Sequence, residues 1–411
     1  MRIGIIHISD IHLRATNNVV AARVAAITGA VRGVAQDVSH LLLIATGDIA
    51  YSGKQDEYAV AVDLLGSIES ALRASQTNFL GTVLIPGNHD CDFGTSEAVR
   101  GLFVDAISNP KTSHLVPDEY TEQVLSVHKN FFEFEALVLS LPSVRKDRLC
   151  WLRQFQASGI KISVRCINTA WLSKLDQPAG QLIFPVEHAA GLTVDSDIAV
   201  TVFHHPYNWL RPDNSREFRK LVESTSDLVL TGHEHDGATY IRANPESTTN
   251  YVEGAALQAA DVQTGFHFIE LDLDAHKYQV HQFIWNSDIY SASAPSSVTF
   301  TRNQALVEHR FVNNAEFKRK LQDLGAPFSH PVKGEIQLRD LFVYPELRVI
   351  RLEAPGKAEK SIKSQDVRDY VLSKTKNHNC WLPNFREKFF SEGPVRGFSG
   401  QQVRASAYAG R

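Results

Sequence analysis

Short, unbroken apolar runs recur along the first part of the chain, and segments of helical period lie between several of them. Residues 3–8, 41–45 (LLLIA), 82–85 (TVLI), 160–168 (IKISVRCIN), 198–203 (IAVTVF) and 226–231 (SDLVLT) read as strands. Val20, Val24, Ile27, Val31 and Val34 are spaced 4, 3, 4 and 3, which is one face of a helix. Tyr58, Val62, Leu65, Ile68 and Leu72 mark a second amphipathic helix, and residues 215–225 also read as helical. Residues 95–157 read as a less regular, partly helical insertion. Strand and helix in alternation predict an α/β fold.

The period changes after residue 264. GFHFIELDLD and KYQVHQFIWN alternate on either side of a short polar turn at Ala275 and His276, a hairpin signature that predicts a mixed or second sheet. Small polar residues over 291–297 mark a boundary. Beyond it the pattern predicts a helix over 304–323, an extended segment over 341–353 and a charged stretch of mixed sign over 354–377. The Gly/Ser/Arg-biased end carries few core residues and is expected to be disordered. The expected division is a main domain over 1–295, a small extension over 296–380 and a disordered tail over 381–411.

With 411 residues, the chain is long enough for one large domain with an appendage, or for two domains. Its 42 Lys+Arg against 46 Asp+Glu leave a formal charge of −4, which argues against a protein that coats nucleic acid through bulk charge. Cys91, Cys150, Cys166 and Cys380 are scattered, with no CxxC pair, and read as reduced thiols rather than a disulfide framework. The opening MRIGIIHISDIHL is interrupted too soon by Asp10 and His12 to be a signal peptide. No run approaches the roughly 18 apolar residues of a membrane span. The expected address is the cytoplasm, with no membrane partner.

The candidate chemistry sits where the apolar runs stop. Five of them end in residues that ligate metals: Asp10 and His12, then Asp48, then Asn88 and His89, then His204 and His205, then His233 and His235. In extended chain, residues i and i+2 face one side, so Asp10/His12 and His233/His235 are each expected to converge. Gly47, Gly87 and Gly232 precede these residues, where a tight turn or close backbone approach is needed. The carboxyl ends of strands are where sites form in open α/β sheets. Mixed oxygen and imidazole ligands without thiolates suit Mn, Fe, Zn, Co or Ni and argue against a structural zinc site. Two carboxylates do not neutralise two divalent cations, so the surplus charge would draw a phosphate and acidify a bridging water. Singly, each piece has an ordinary explanation: an Asp after Gly is commonly a cap, and an HH pair or a GNHD turn is commonly structural. Together and in this order they point to one centre. His7, mid-strand, and Cys91, next to the motif, are read as packed side chains.

The order D-x-H, GD, GNHD, H and GHxH strongly resembles the calcineurin-like metallophosphoesterase family over about residues 1–290. The resemblance implies a sandwich of two mixed sheets flanked by helices, the family's four-layer fold, with a C-terminal extension here. It also implies a binuclear centre: one metal on Asp10, His12 and His235, the other on Asn88, His204 and His233, with Asp48 bridging. His89 would contact the substrate phosphate or protonate the leaving oxygen, with Asp90 orienting its ring. His205, Arg211 and Asn88 would complete the substrate side. GDIAYSGKQDEYAVA, PGNHDCDF, HHPYNWLRPDNSREF and LRDLFVYPELRVIRLE look like the phosphoesterase domains of bacterial multidomain proteins, in which a P-loop NTPase often follows. No GxxxxGK[ST] occurs here, so the likeness leaves three alternatives: a short form, a lost regulatory part, or a separate regulatory NTPase as partner.

The activity expected is metal-dependent hydrolysis of phosphate esters, preferably diesters, by a hydroxide held between the metals. Two alternatives stand beside it: a nuclease of the same fold acting on nucleic acid, and an inactive scaffold that binds protein. Lys54, Arg211, Arg216, Arg219 and Lys220 lie near the motifs and would line a nuclease groove, unless they are solvated surface charges. Scaffolds of this family lose ligands, and this chain keeps all seven.

Overall fold

The computed structural model describes residues 1–300 except 76, 95–96, 110–117, 191, 193–195, 244–247 and 260–261, and beyond them residues 329–330, 334–335, 347–351, 360–362 and 401–404. The chain divides into two units, Met1–Arg310 and Phe311–Arg411. The first opens with three parallel strands, β1 (Arg2–Ile8), β2 (His40–Ala45) and β3 (Asn78–Leu84). Parallel neighbours need a crossover connection, and α1 (Val24–Val34) and α2 (Gln55–Arg73) supply them. β2, HLLLIA, is buried at every position, as a parallel strand covered on both faces must be. At the start of α2 the Glu57 carboxylate accepts the backbone N–H of Lys54 and of Ser52, tying the helix to the loop that leaves β2.

The insertion then contributes α3 (Glu97–Ser108), α4 (Asp118–Leu125) and α5 (Lys129–Val138). A second sheet follows: β4 (Cys150–Ala157), β5 (Ile160–Ile167), β6 (Ile198–Phe203), β7 (Leu228–Thr231), β8 (Thr239–Ala243) and β9 (Thr248–Glu253), in the order β4-β5-β6-β7-β9-β8. Short α6 (Val186–Ala190) precedes β6, and α7 (Pro212–Thr225), with Pro at its first turn, links β6 to β7. The chain returns to the first sheet as β10 (Gly265–Asp272), β11 (Lys277–Asn286), β12 (Ile289–Ala292) and β13 (Ser296–Thr299), with β10 antiparallel to β1. Both sheets are therefore mixed.

Period-2 alternation holds the sandwich together. Ile198, Val200 and Val202 of β6 point into one core with β1, β2, β3, β10 and β11, while Phe203 points the other way, against Phe184 and Phe218. The hairpin expected over 265–286 is present, and it joins the first sheet. β4, β8 and β9 lie where the pattern gave an irregular insertion or no strand. β4 is half-exposed along its middle and β8 is exposed throughout, while β9 is mostly buried but opens on Thr248, Thr249 and Asn250, so none reads as an apolar run.

In the second unit, Ser329–His330 pairs with Gly334–Glu335, and Leu347–Arg351 pairs with both Lys360–Ile362 and Gln401–Arg404. The helix expected over 304–323 lies outside the described residues, as does most of the tail over 381–411.

Candidate metal centre

The predicted residues follow the carboxyl ends of β1, β2, β3, β6 and β7, which the two facing sheets bring to one edge of the sandwich. The loops after β1 and β2 run side by side: the N–H groups of Ile11 and His12 both reach the Asp48 carbonyl, Leu13 N–H reaches Ile49, and Tyr51 N–H reaches Leu13. Five of the candidate ligands, Asp10, His12, Asp48, His233 and His235, hold a left-handed backbone, φ +49° to +78°. That conformation is uncommon outside glycine and clusters at functional sites. The expectation of extended i/i+2 pairs is corrected here. Asp10 and His12 converge because both turn left-handed after β1 ends, whereas His233 and His235 diverge to different halves of the centre. Gly47 (φ +97°) is forced to be glycine, since a Cβ there would stand 2.6 Å from His204 Nδ1 and 2.8 Å from the Gly87 nitrogen.

Two halves are visible in the distances. In one, His235 Nε2 lies 3.3 Å from Asp10 Oδ1 and 3.3 Å from His12 Nε2. In the other, His204 Nε2 lies 3.3 Å from Asp48 Oδ2, 3.2 Å from Asn88 Oδ1 and 3.2 Å from His233 Nδ1. Backbone donors fix the carboxylates: His233 N–H on Asp10 Oδ2 (3.1 Å) and His89 N–H on Asp48 Oδ1 (2.8 Å). The Thr46 carbonyl, 2.7 Å from His204 Nδ1, takes the proton of that nitrogen and turns Nε2 into the centre.

The site divides its imidazoles between raised and lowered proton affinity. Burial opposes ionisation of His204, but Asp48 outweighs it and pushes the ring up to about 9. Against the same cost of burial, His204 holds Asp48 well below the usual carboxylate range. His235 is raised by its contact with Asp10. His233 is pushed down to about 4 by burial and by His204, and His12 is lowered by burial. Asp10 Oδ1 is buried, with His235 Nε2 3.3 Å away. Lone pairs thus converge with too few protons to share among them, a donor set that fits divalent cations better than a closed hydrogen-bond network.

Other predicted residues divide. His89 joins the cluster with His12 and Asp48. Its orienting partner is the Tyr51 carbonyl, 2.7 Å from Nδ1, and the role expected of Asp90 is corrected. Asp90 accepts from Ile49 N–H, Ala50 N–H, Gly87 N–H and the Tyr58 hydroxyl, locking the loops after β2 and β3 together. Burial and the nearby Asp48 push it up to about 6. His205 is buried beside His204 and His233, with Nδ1 3.2 Å from the Thr169 hydroxyl and Nε2 buried without a partner. Arg211 is not brought to the centre: it forks onto Asp213 and reaches the Ser108 carbonyl. Lys54 pairs with Asp92, and Arg219 lies over Tyr207. His7 and Cys91 are buried, His7 beside Thr46 and Cys91 beside His128, 3.2 Å from Nε2.

Sequence reasoning missed Thr46 and Tyr51, which act through backbone carbonyls and leave no signature in residue type. It also missed Trp209, whose ring meets His233 edge-on with centroids 4.1 Å apart while its Nε1–H donates to Glu234. An aromatic residue four positions after the second histidine of HHP was the available signal.

A family model described as calcineurin-like phosphoesterase matches residues 3–237. The glycerophosphodiester phosphodiesterase GpdQ of Enterobacter lignolyticus (strain SCF1) is 29% identical over 129 residues, which are 29% of this chain and 41% of that protein. The chain thus matches less than half the length of this curated relative. Among solved structures, GAP50, the anchor in the inner membrane complex of Plasmodium, is 11% identical at a TM-score of 0.41, covering 82% of this chain and 99% of the other. Vps29 of Chaetomium thermophilum is 14% identical at a TM-score of 0.30, covering 73% and 97%. No helix among the described residues is long and apolar enough to cross a membrane.

Proposed function

The chain belongs to the calcineurin-like phosphoesterase family, and on that premise we propose that it is a binuclear metal-dependent hydrolase of phosphate diesters. The observation that carries the proposal is the convergence of seven oxygen and imidazole donors at the ends of five strands, in two halves joined through Asp48. Asp10, His12 and His235 would hold one ion, Asn88, His204 and His233 the other, and Asp48 would serve both. Two such ions supply Lewis acidity toward the phosphate and a water acidified to near neutral pH.

The chain's own residues do the rest. His89, its Nδ1 anchored on the Tyr51 carbonyl, would present Nε2 to the substrate phosphate or the leaving oxygen. His205, with Nδ1 on the Thr169 hydroxyl and its ring against His204 and His233, would back the substrate side from inside the fold. Trp209 walls the His233 side. The diester preference draws support from the activity named for the GpdQ relative.

The test is hydrolysis of bis-p-nitrophenyl phosphate beside p-nitrophenyl phosphate by metal-stripped protein supplied with Mn²⁺. Diester cleavage is expected to exceed monoester cleavage and to vanish in Asp48→Ala. Folded protein that stays silent with Mn²⁺, Zn²⁺, Co²⁺ and Ni²⁺ would overturn the proposal.

A further inference from the structure

The loops that deliver His12 and Asp48 do not stop at the centre. They continue as a paired ribbon, through the Leu13–Ala50 bridge and the Tyr51 N–H on the Leu13 carbonyl, and end in Arg14 and Tyr51 at its lip. The Arg14 guanidinium carbon stands 3.7 Å from the centre of the Tyr51 ring. The same ring faces His89 (centroids 5.4 Å apart) and, edge-on, His12 (6.4 Å). Asn18 fixes the Arg14 backbone from both sides, its Oδ1 accepting Arg14 N–H at 2.9 Å while its Nδ2–H donates to the Arg14 carbonyl.

Arg14 is exposed, and among the described residues no carboxylate pairs with its guanidinium. The basic side chains Lys54 and Arg211, by contrast, are engaged with Asp92 and Asp213. A stacked guanidinium is held by one face, which leaves its five N–H groups pointing outward in the plane that matches a phosphate. Tyr51 has that face covered by Arg14, so the ring is a platform for the cation rather than a surface for a base.

We infer that Arg14, mounted on Tyr51, is a subsite for a second phosphate of the substrate, one linkage away from the diester that is cut. This rests on the hydrolase reading above and narrows it to diesters carrying a further phosphate, as in an oligonucleotide. The contact is made away from the reacting atoms and equally before and during the chemistry, so it acts on KM more than on kcat.

The experiment compares a thymidine dinucleotide with the same dinucleotide phosphorylated at its 5′ or its 3′ end, in the wild type and in Arg14→Gln. One of the two phosphorylated forms is expected to have a kcat/KM about five- to tenfold higher in the wild type, a charge-assisted contact at a partly solvated site. Arg14→Gln should bring that ratio near one through KM. Tyr51→Phe should keep the ratio and Tyr51→Leu should lose it. Arg73→Gln, which removes a guanidinium from over Phe79 away from the centre, should leave the ratio as it is.

Equilibrium binding of the phosphorylated and plain dinucleotides scores the subsite independently of turnover. Equal affinities and equal kcat/KM would overturn the subsite while leaving the hydrolase standing. Failure to cleave bis-p-nitrophenyl phosphate alongside would overturn the hydrolase instead. A glycerophosphodiester with a second phosphate separates the sources: a matching gain assigns charge alone, and a gain confined to the dinucleotide assigns an oligonucleotide.

Discussion

Asp48 has one oxygen on the His89 N–H and the other 3.3 Å from His204 Nε2, and it is buried. Asp48→Ala should therefore remove diester activity by at least about a thousandfold and lower bound metal, measured by elemental analysis of Mn²⁺-loaded protein. His89 is different, because among the described residues its side chain hydrogen-bonds a backbone carbonyl rather than a ligand. His89→Ala should lower kcat by about a hundredfold and leave metal content unchanged. Loss of metal there would move His89 into the ligand set. Asp90 yields a third outcome, set by the three backbone N–H groups and the Tyr58 hydroxyl that it satisfies. Asp90→Ala would strand those donors in a buried site, and the melting temperature should fall even in metal-free protein. The two loops would lose their tie together, so activity should fall as a consequence. At this scale the sequence showed residue types and hid what the backbone supplies. DxH, GD, GNHD and GHEH could be read directly, but the carbonyls that orient His89 and His204 could not.

Strands and loops were legible to different degrees for a physical reason. β1, β2, β6 and β7 are buried on both faces and appear as apolar runs, whereas β4 and β8 alternate or lie exposed. The left-handed turns at Asp10, His12, Asp48, His233 and His235 left no trace, because ligand chemistry rather than backbone preference selects those residues. Elements beneath the centre also carry imidazoles that burial holds neutral. His7 is pushed down to about 3 by burial and its neighbour His267, His128 to about 3 by burial and Arg100, and His267 to about 4 by burial. Each binds a proton near pH 6.5 once unfolded but not while folded, so the unfolded state holds more protons between about pH 4 and 6.5. The stability they permit is complete above that range and is lost as pH falls through it, about 2 kcal/mol for each ring by pH 5. Asp90, pushed up to about 6, works in the opposite direction and offsets part of this. The melting temperature of metal-free protein should drop between pH 7.5 and pH 5, and His267→Gln should shrink the drop.

On the scale of the molecule, the site exists because two mixed sheets end at one edge, so whatever closes those sheets also supports the chemistry. The first sheet is not complete at residue 295, where composition suggested a boundary. β13 pairs with β11 from Lys277 to Val280, and buried Phe300 stacks near Tyr278 and donates its N–H to the His276 carbonyl. A chain ending at residue 310 keeps these contacts, and one ending at residue 295 loses all of them. Losing a buried Phe and a paired strand costs several kcal/mol, about 10 °C of melting temperature for a domain of this size. The longer truncation should therefore melt close to the full-length protein and retain diester cleavage, while the shorter one melts about 10 °C lower. Equal melting of the two would show that β13 adds nothing to the sheet. A large loss in the chain ending at 310 would instead overturn the assignment of these contacts as what completes the first sheet.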